Sequence, residues 1–375
     1  MIFRFIIFSF LIFSSNILLA SAISHAPIGV MADHFHKKGE WMVSLRVTNM
    51  EMKKNILNGN SISNDEILKQ PNPYSDMPMM MRNFESTVSV NGVPTRVTDH
   101  PHGSEMKMRN LSVIPKKMTM KMIMLGSMYA PSDKVTLMSM IMFDDKKMSL
   151  DTHKAMMGRD FIGSFSTSSS DISKVSLSAL YNLHESEESR WHLMIGLEKG
   201  LGENSEKAIV LNPMNMRTLM TLPYGMQASD KALRLLASVT NVYKIDGFIV
   251  GNQLGIKRTI NEKNWNFGDE FEYNLWFQGS FNKSASYSIR LNYKNQDSID
   301  GRDRTIMAPV QTANPSNYGG DILSLGIGLN TVFDLFGGKH KDRFSIEILK
   351  PIDQDKNGLQ MKDDLTIQIG FQKML

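Results

Sequence analysis

The chain of 375 residues contains no cysteine, which excludes disulfides and thiolate metal sites. After the N-terminal stretch it has no run of about 18 apolar residues, so no helix is available to cross a membrane. Neither sign of charge dominates, with 42 basic and 38 acidic residues. The formal net charge is only +4, and the basic residues form no concentrated stripe of the kind nucleic acid requires. No nucleic-acid partner is therefore expected. A Gly-x-Ser-x-Gly elbow and a His-Glu-x-x-His motif are also missing.

What is present begins with an export signal. Arg4 supplies the positive end, Phe5 to Ala20 an apolar stretch broken by Ser14, Ser15 and Asn16, and Ala20-Ser21-Ala22 a small-x-small cleavage site. The expected organisation is a signal peptide over 1–22, a periplasmic segment bearing His and Met over 23–40, and a barrel over 41–375.

From Trp41 onward the sequence reads as a run of segments alternating apolar and polar residues. The gaps between them are short and long in turn. Tight gaps fall at Ala130 to Asp133, Glu185 to Ser189, Asp246, Asn282-Lys283 and Gly337 to Lys339. The intervening gaps are longer, up to Lys53 to Lys117. Short periplasmic turns, long extracellular loops and an even strand number are the pattern of bacterial outer-membrane barrels. The expected fold is all-β: a single transmembrane antiparallel up-and-down β-barrel of about 12 strands.

The later segments show the two faces best. Phe271, Tyr273, Leu275 and Phe277 alternate with Glu272, Asn274, Trp276 and Gln278; Tyr287, Ile289, Leu291 and Tyr293 alternate with Ser288, Arg290, Asn292 and Lys294. Side chains along a strand point to opposite faces, so each strand has an apolar and a polar side. Aromatic residues flank the short turns (Tyr181 and Trp191, Tyr243 and Phe248, Phe281 and Tyr287, Phe333 and Phe344), where an interfacial girdle belongs. The lipid bilayer and the outer-membrane assembly machinery are the partners this reading implies.

Methionine is abundant, with 30 residues, and unevenly placed: apart from Met1, only Met307, Met361 and Met374 lie outside the stretch from Met31 to Met226. On the first strand Met42, Met50 and Met52 share the inner face with Ser44, Arg46 and Thr48. On the third, Met138, Met140 and Met142 face inward. On the second, the ladder Met118, Met120, Met122 and Met124 is placed toward lipid, because Lys121 belongs inside. Loop methionines Met77 and Met79 would lie above the inner ladders.

Thioethers are soft ligands that select ions such as Cu(I), whereas methionine is equally a flexible apolar filler. Cleavage after Ala22 would leave Ile23, Ser24 and His25 at the terminus. An amine, two amides and a third-position imidazole can wrap Cu(II) in square-planar geometry. His34 and His36 follow. The candidate metal residues are thus Ile23, Ser24, His25, His34, His36, Met138, Met140, Met142, Met77 and Met79, with a copper ion as the candidate cofactor.

The runs from His25 to Met42, Met128 to Asp133 and Ala308 to Asp321 resemble a family of Gram-negative outer-membrane proteins described as transporters. That family is distantly similar to the barrels associated with phenol degradation. The resemblance implies a barrel in the outer membrane and no catalytic residues. Three functions compete: a barrel that binds or passes a small solute, with soft metal ions as the leading candidate; a porin-like channel for hydrophobic small molecules; and a lipid-acting enzyme built on His102 and Ser104, where a base would stand beside a hydroxyl.

Overall fold

The computed structural model describes residues 22–75, 86–90, 93–97, 108–155, 158–335 and 342–375. Twelve antiparallel strands close into one barrel. They are β1 (Trp41–Leu57), β2 (Val113–Ser132), β3 (Val135–His153), β4 (Phe161–Glu185), β5 (Ser189–Gly200), β6 (Leu233–Ile245), β7 (Phe248–Asn261), β8 (Glu270–Asn282), β9 (Ala285–Gln296), β10 (Gly320–Phe333), β11 (Asp342–Lys356) and β12 (Leu359–Met374). Each strand pairs with its sequence neighbours. Closure is made by β1 and β12, with Met42 opposite Met374 and Leu45 opposite Phe371. No edge is left unpaired, which satisfies every strand of a sheet that spans lipid. Among the described residues no helix is long and apolar enough to cross a membrane.

The strands are held in register by tight turns at one end. Asp246 and Gly247 both adopt positive φ (46° and 86°), the backbone of a two-residue hairpin turn whose twist matches the strands it joins. Long connections gather at the opposite end. The rhythm read from the sequence holds among the described residues with two changes, the gap Gly337 to Lys339 lying outside them. The first connection covers 58–112 rather than Lys53 to Lys117, because β1 and β2 project beyond the belt. The last, between β11 and β12, is only the Asn357-Gly358 hairpin, since Asn-Gly suits such a turn and both strands extend to meet it.

Outward-facing residues form the apolar belt. Val43, Leu45, Leu137, Ile141, Leu275, Phe277, Ile289, Ile327 and Leu329 are exposed, while their sequence neighbours Ser44, Met138, Met142, Asn274, Gln278, Ser288 and Arg290 turn inward. Exposed Trp191, Tyr243, Phe248, Phe281 and Phe344 ring the turn end. Trp191 meets Tyr243 edge-on and Phe248 stacks on Phe277 at 5.0 Å.

The β2 ladder is a correction. Met118 and Met124 are buried, and Met120 and Met122 line the lumen, whereas Lys121 and Leu125 point outward. Lys121 pairs with Asn49 on β1 and Asp145 on β3, so it belongs to a polar outer rim beyond the apolar belt. A lysine is excluded from the outer face only where that face meets hydrocarbon, and here it does not.

Candidate functional site

Described residues fill the lumen toward both ends, and the sequence supplies each filling differently. At the turn end it is filled by residues 22–40. This segment, expected below the barrel in the periplasm, instead threads through the lumen as a plug. Polar wall residues hold its backbone: Gln278 donates to the His25 carbonyl at 2.6 Å, Arg343 to Ala26, and Gln253 to Met31 at 2.8 Å. His192 Nε2 lies 2.7 Å from the Ala32 carbonyl and donates to it, and the His36 amide donates to Thr136 Oγ1 at 2.9 Å. An inward polar face that looks like channel lining in the sequence is thus partly a docking surface for backbone.

The tightest contact involves Gly29. Its amide donates to Glu347 Oε2 at 2.9 Å, and that carboxylate is forked by Arg290 through Nε and Nη2 at 2.8 and 3.0 Å. Arg290 also donates to Asn274 Oδ1 at 2.7 Å. A Cβ at residue 29 would strike both partners of the ion pair. Glycine is required here for close approach. Beside it Ala26, Val30 and the buried indole of Trp276 form a small apolar cluster with Val242 and Ile249. Trp276 itself fits only because residue 251 is glycine.

At the other end the loops fold into a cap. Tyr74, Leu222, Tyr224, Met226, Trp265, Ile299, Ile306 and Ala313 are buried together with Met118, Met148 and Met361 from the wall. Two buried wall groups tie the cap down: Lys146 donates to the Gln227 carbonyl and Ser169 to the Met226 carbonyl, both at 2.6 Å. Asp230 accepts from the Phe267 amide at 2.9 Å and pairs with Arg234. Burial pushes its carboxyl upward, but the Arg234 hydrogen bond and charge and two backbone amides prevail and hold it below the usual range. Burial raises the Tyr74 hydroxyl to about 12, so it stays a neutral donor, and it donates to the Ala313 carbonyl.

Beneath the cap, inside the barrel, lies a cavity of about 490 Å³. This is within the usual range for small-molecule sites. One wall is methionine: Met50, Met52, Met118, Met120, Met122, Met142 and Met148 from β1, β2 and β3, with Met361 from β12. The register aligns them in rows across the strands. Met52 faces Met118, which faces Met148; Met50 faces Met120; and Met124 faces Met142. The other wall is charged but internally paired. Lys257 lies 2.9 Å from Glu270, Lys294 lies 3.1 Å from the same carboxylate, and Lys174 lies 3.4 Å from Glu198.

The methionines expected inside are inside. Met138 packs low in the lumen with Met42, Met128, Leu180, Met194 and the plug residue Ala32, below the cavity. Met140 stands opposite Gly126 on the inner face. Met77, Met79, His102 and Ser104 lie outside the described residues.

The plug histidines come together, with a residue the sequence reading missed. Asp33 Oδ1 lies 2.9 Å from His34 Nδ1, and Asp33 Oδ2 accepts from the Ala26 amide at 3.0 Å. The rings of His25 and His36 each stand 4.9 Å from that of His34. Burial, then Arg343, then His34 hold His25 well below the usual histidine range, and burial with His34 lowers His36 to about 3. Burial would raise Asp33, but the His34 charge and hydrogen bond outweigh it, and the carboxyl stays ionised. Ile23 and Ser24, expected to contribute an amine and backbone amides rather than side chains, directly precede His25 in the chain. Asp33 was legible only as the residue preceding His34.

No family model and no curated protein matches the sequence. Solved structures do. An outer-membrane channel from Pseudomonas putida F1 aligns over 92% of this chain and 99% of its own, with a TM-score of 0.53 and 10% identity. A FadL homologue of Pseudomonas aeruginosa covers 89% of each chain with a TM-score of 0.36 and 10% identity. The fold shared with the first, the closed twelve-stranded wall and the outward apolar belt together place the chain as a β-barrel of the Gram-negative outer membrane.

Proposed function

We propose that the barrel takes up small, predominantly apolar molecules into the chamber beneath the loop cap and passes them toward the periplasm. The observation that carries this reading is the methionine wall of a cavity of about 490 Å³ inside the barrel. Thioether side chains are apolar, polarizable and flexible, so they fit guests of varied shape and contact aromatic rings favourably. Lys174, Lys257 and Lys294 on the opposite wall are paired with Glu198 and Glu270, so these charges do not demand an ionic guest. A copper pathway along the same methionines has no comparable support, because the rows extend over a broad surface rather than converging on one ion. The shared fold with an outer-membrane channel accords with passage across the membrane.

The test is reconstitution in liposomes with naphthalene as an apolar probe and glucose as a polar one. Naphthalene should bind the purified barrel and enter vesicles faster than through protein-free lipid. Met120→Asp together with Met122→Asp should reduce binding at least tenfold, because each charge would be desolvated by the guest. Equal passage of glucose and naphthalene, or no response to the double variant, would overturn the reading.

A further inference from the structure

We infer that His25, Asp33 and His34, flanked by His36, form a divalent transition-metal site that staples the plug. It rests on neither the methionine wall nor the channel reading.

One nitrogen from each of His25 and His34 and one oxygen from Asp33 lie within 4.8 Å of one another. Donors around a single ion at roughly 2.0–2.2 Å lie about 3.3 Å apart in tetrahedral geometry, so rotamer-scale movement closes the set. Asp33, His34 and His36 are each more than nine-tenths buried. Nδ1 of His25, Nε2 of His34 and Nε2 of His36 are nevertheless without a hydrogen-bond partner. Buried polar atoms without partners are rare, and three imidazole nitrogens in one place call for a ligand. A purely structural cluster would use these nitrogens to bind the plug backbone or the wall, as His192 does.

The surroundings select the type of ion. Arg343 is held by the Ala26 carbonyl, Asn330 and Gln372, and Arg46 lies against Met31. These guanidiniums disfavour a cation bound through net negative charge alone, which argues against calcium and magnesium with their all-oxygen shells. Imidazole-rich sets suit Zn(II), Ni(II) and Cu(II), with Cu(II) tightest in the series. Such an ion would link residue 25 to residues 33 and 34 and so close the plug on itself. Ala32 between them is already in the left-handed region (φ 51°), holding the turn that the site requires.

The full-length barrel, folded in detergent and dialysed against a chelator, would be titrated with Zn(II) by calorimetry and with Co(II) by visible absorption. One equivalent should bind, with cobalt d–d bands from nitrogen and oxygen ligands. His34→Ala and Asp33→Asn should each weaken binding tenfold or more, while His184→Ala on the exposed end of β4 should leave it unchanged. Folded barrels are identified by heat-modifiable migration, and His34→Gln serves if His34→Ala does not fold. Acetylating the N-terminus separates this site from one using the terminal amine, since only the latter loses its ligand. Absence of stoichiometric binding, or binding unaffected by both the His34 and Asp33 variants, would overturn the assignment.

Discussion

The two sides of the lumen solve the same problem in opposite ways. From β8 to β12 the inner wall is a hydrogen-bonded polar lattice: Arg290, Asn274, Asn292, Glu347, Arg343, Asn330 and Gln372 satisfy one another and grip the plug. From β1 to β3 the inner wall is largely thioether, with Met42, Met128 and Met138 in one row and Met52, Met118 and Met148 in another. The polar wall needs fixed geometry, since a buried donor or acceptor left alone costs about 1–3 kcal/mol. The methionine wall needs none, because its contacts are non-directional. One side therefore specifies position and the other tolerates variety. A barrel that must hold a plug and also accept differently shaped guests needs both.

The comparison breaks most easily at Glu347. Replacing it with alanine strands Arg290, which is 2% exposed, and removes the acceptor for Gly29. Breaking a buried pair by removing one partner costs roughly 3–5 kcal/mol. Urea unfolding in lipid vesicles should show a loss of that size for Glu347→Ala. Retention of wild-type stability would mean that the polar wall is not the rigid one. The outer face gives the next effect. Ile327, 62% exposed on β10, should meet lipid, and an arginine there should cost about 2–4 kcal/mol if it lies near the midplane. Arginine at Lys121 should cost far less by the same measurement, because that position belongs to the polar rim.

A smaller effect separates the plug from the wall that holds it. Gly29→Ala sets a methyl group against Arg290 and Glu347, neither of which can move without losing its partners. Overpacking of this kind costs about 1–3 kcal/mol. Here it should fall on plug docking rather than on the barrel. Single-channel conductance in planar bilayers should rise while heat-modifiable migration is unchanged. Unaltered conductance would show that the plug does not close the turn end.

The same contrast decides what could be read from the sequence. On β8 and β9 the faces differ sharply in polarity, as with Leu275 beside Asn274 or Ile289 beside Arg290, and alternation alone assigns them. On β2 both faces are apolar over Met122, Ile123, Met124 and Leu125. The decision then fell to Lys121, whose height relative to the belt a sequence does not carry. The plug was hidden for a different reason. Residues 22–40 have no strand periodicity, and their anchors are backbone groups held by side chains from β3 to β11, far away in the chain. The histidines could be named, but their convergence depends on the turn at Ala32, and Asp33 had no spacing to mark it. Closure of the loop end carries no periodic signal either, because the buried cap residues Tyr74, Tyr224, Trp265 and Ile306 come from separate connections.

The smallest effect tests whether the methionine wall is a surface or a set of ligands. Met138, Met140 and Met142 share the inner face of β3, with Met138 low beside Ala32 and Met142 at the edge of the chamber. Changing all three to leucine nearly conserves volume and apolarity, and such swaps usually cost under about 1.5 kcal/mol each. Leucine keeps the non-directional contacts and loses only the sulfur and some flexibility. If the wall acts as an apolar surface, the triple variant should fold, bind naphthalene within about threefold of wild type, and leave Zn(II) binding by the plug untouched. Cells producing it should tolerate copper and silver as wild type does. A selective loss of Cu(I) or Ag(I) binding, with naphthalene binding preserved, would instead mean that these sulfurs act as soft ligands. The two walls would then differ in the kind of ligand they hold rather than in rigidity alone.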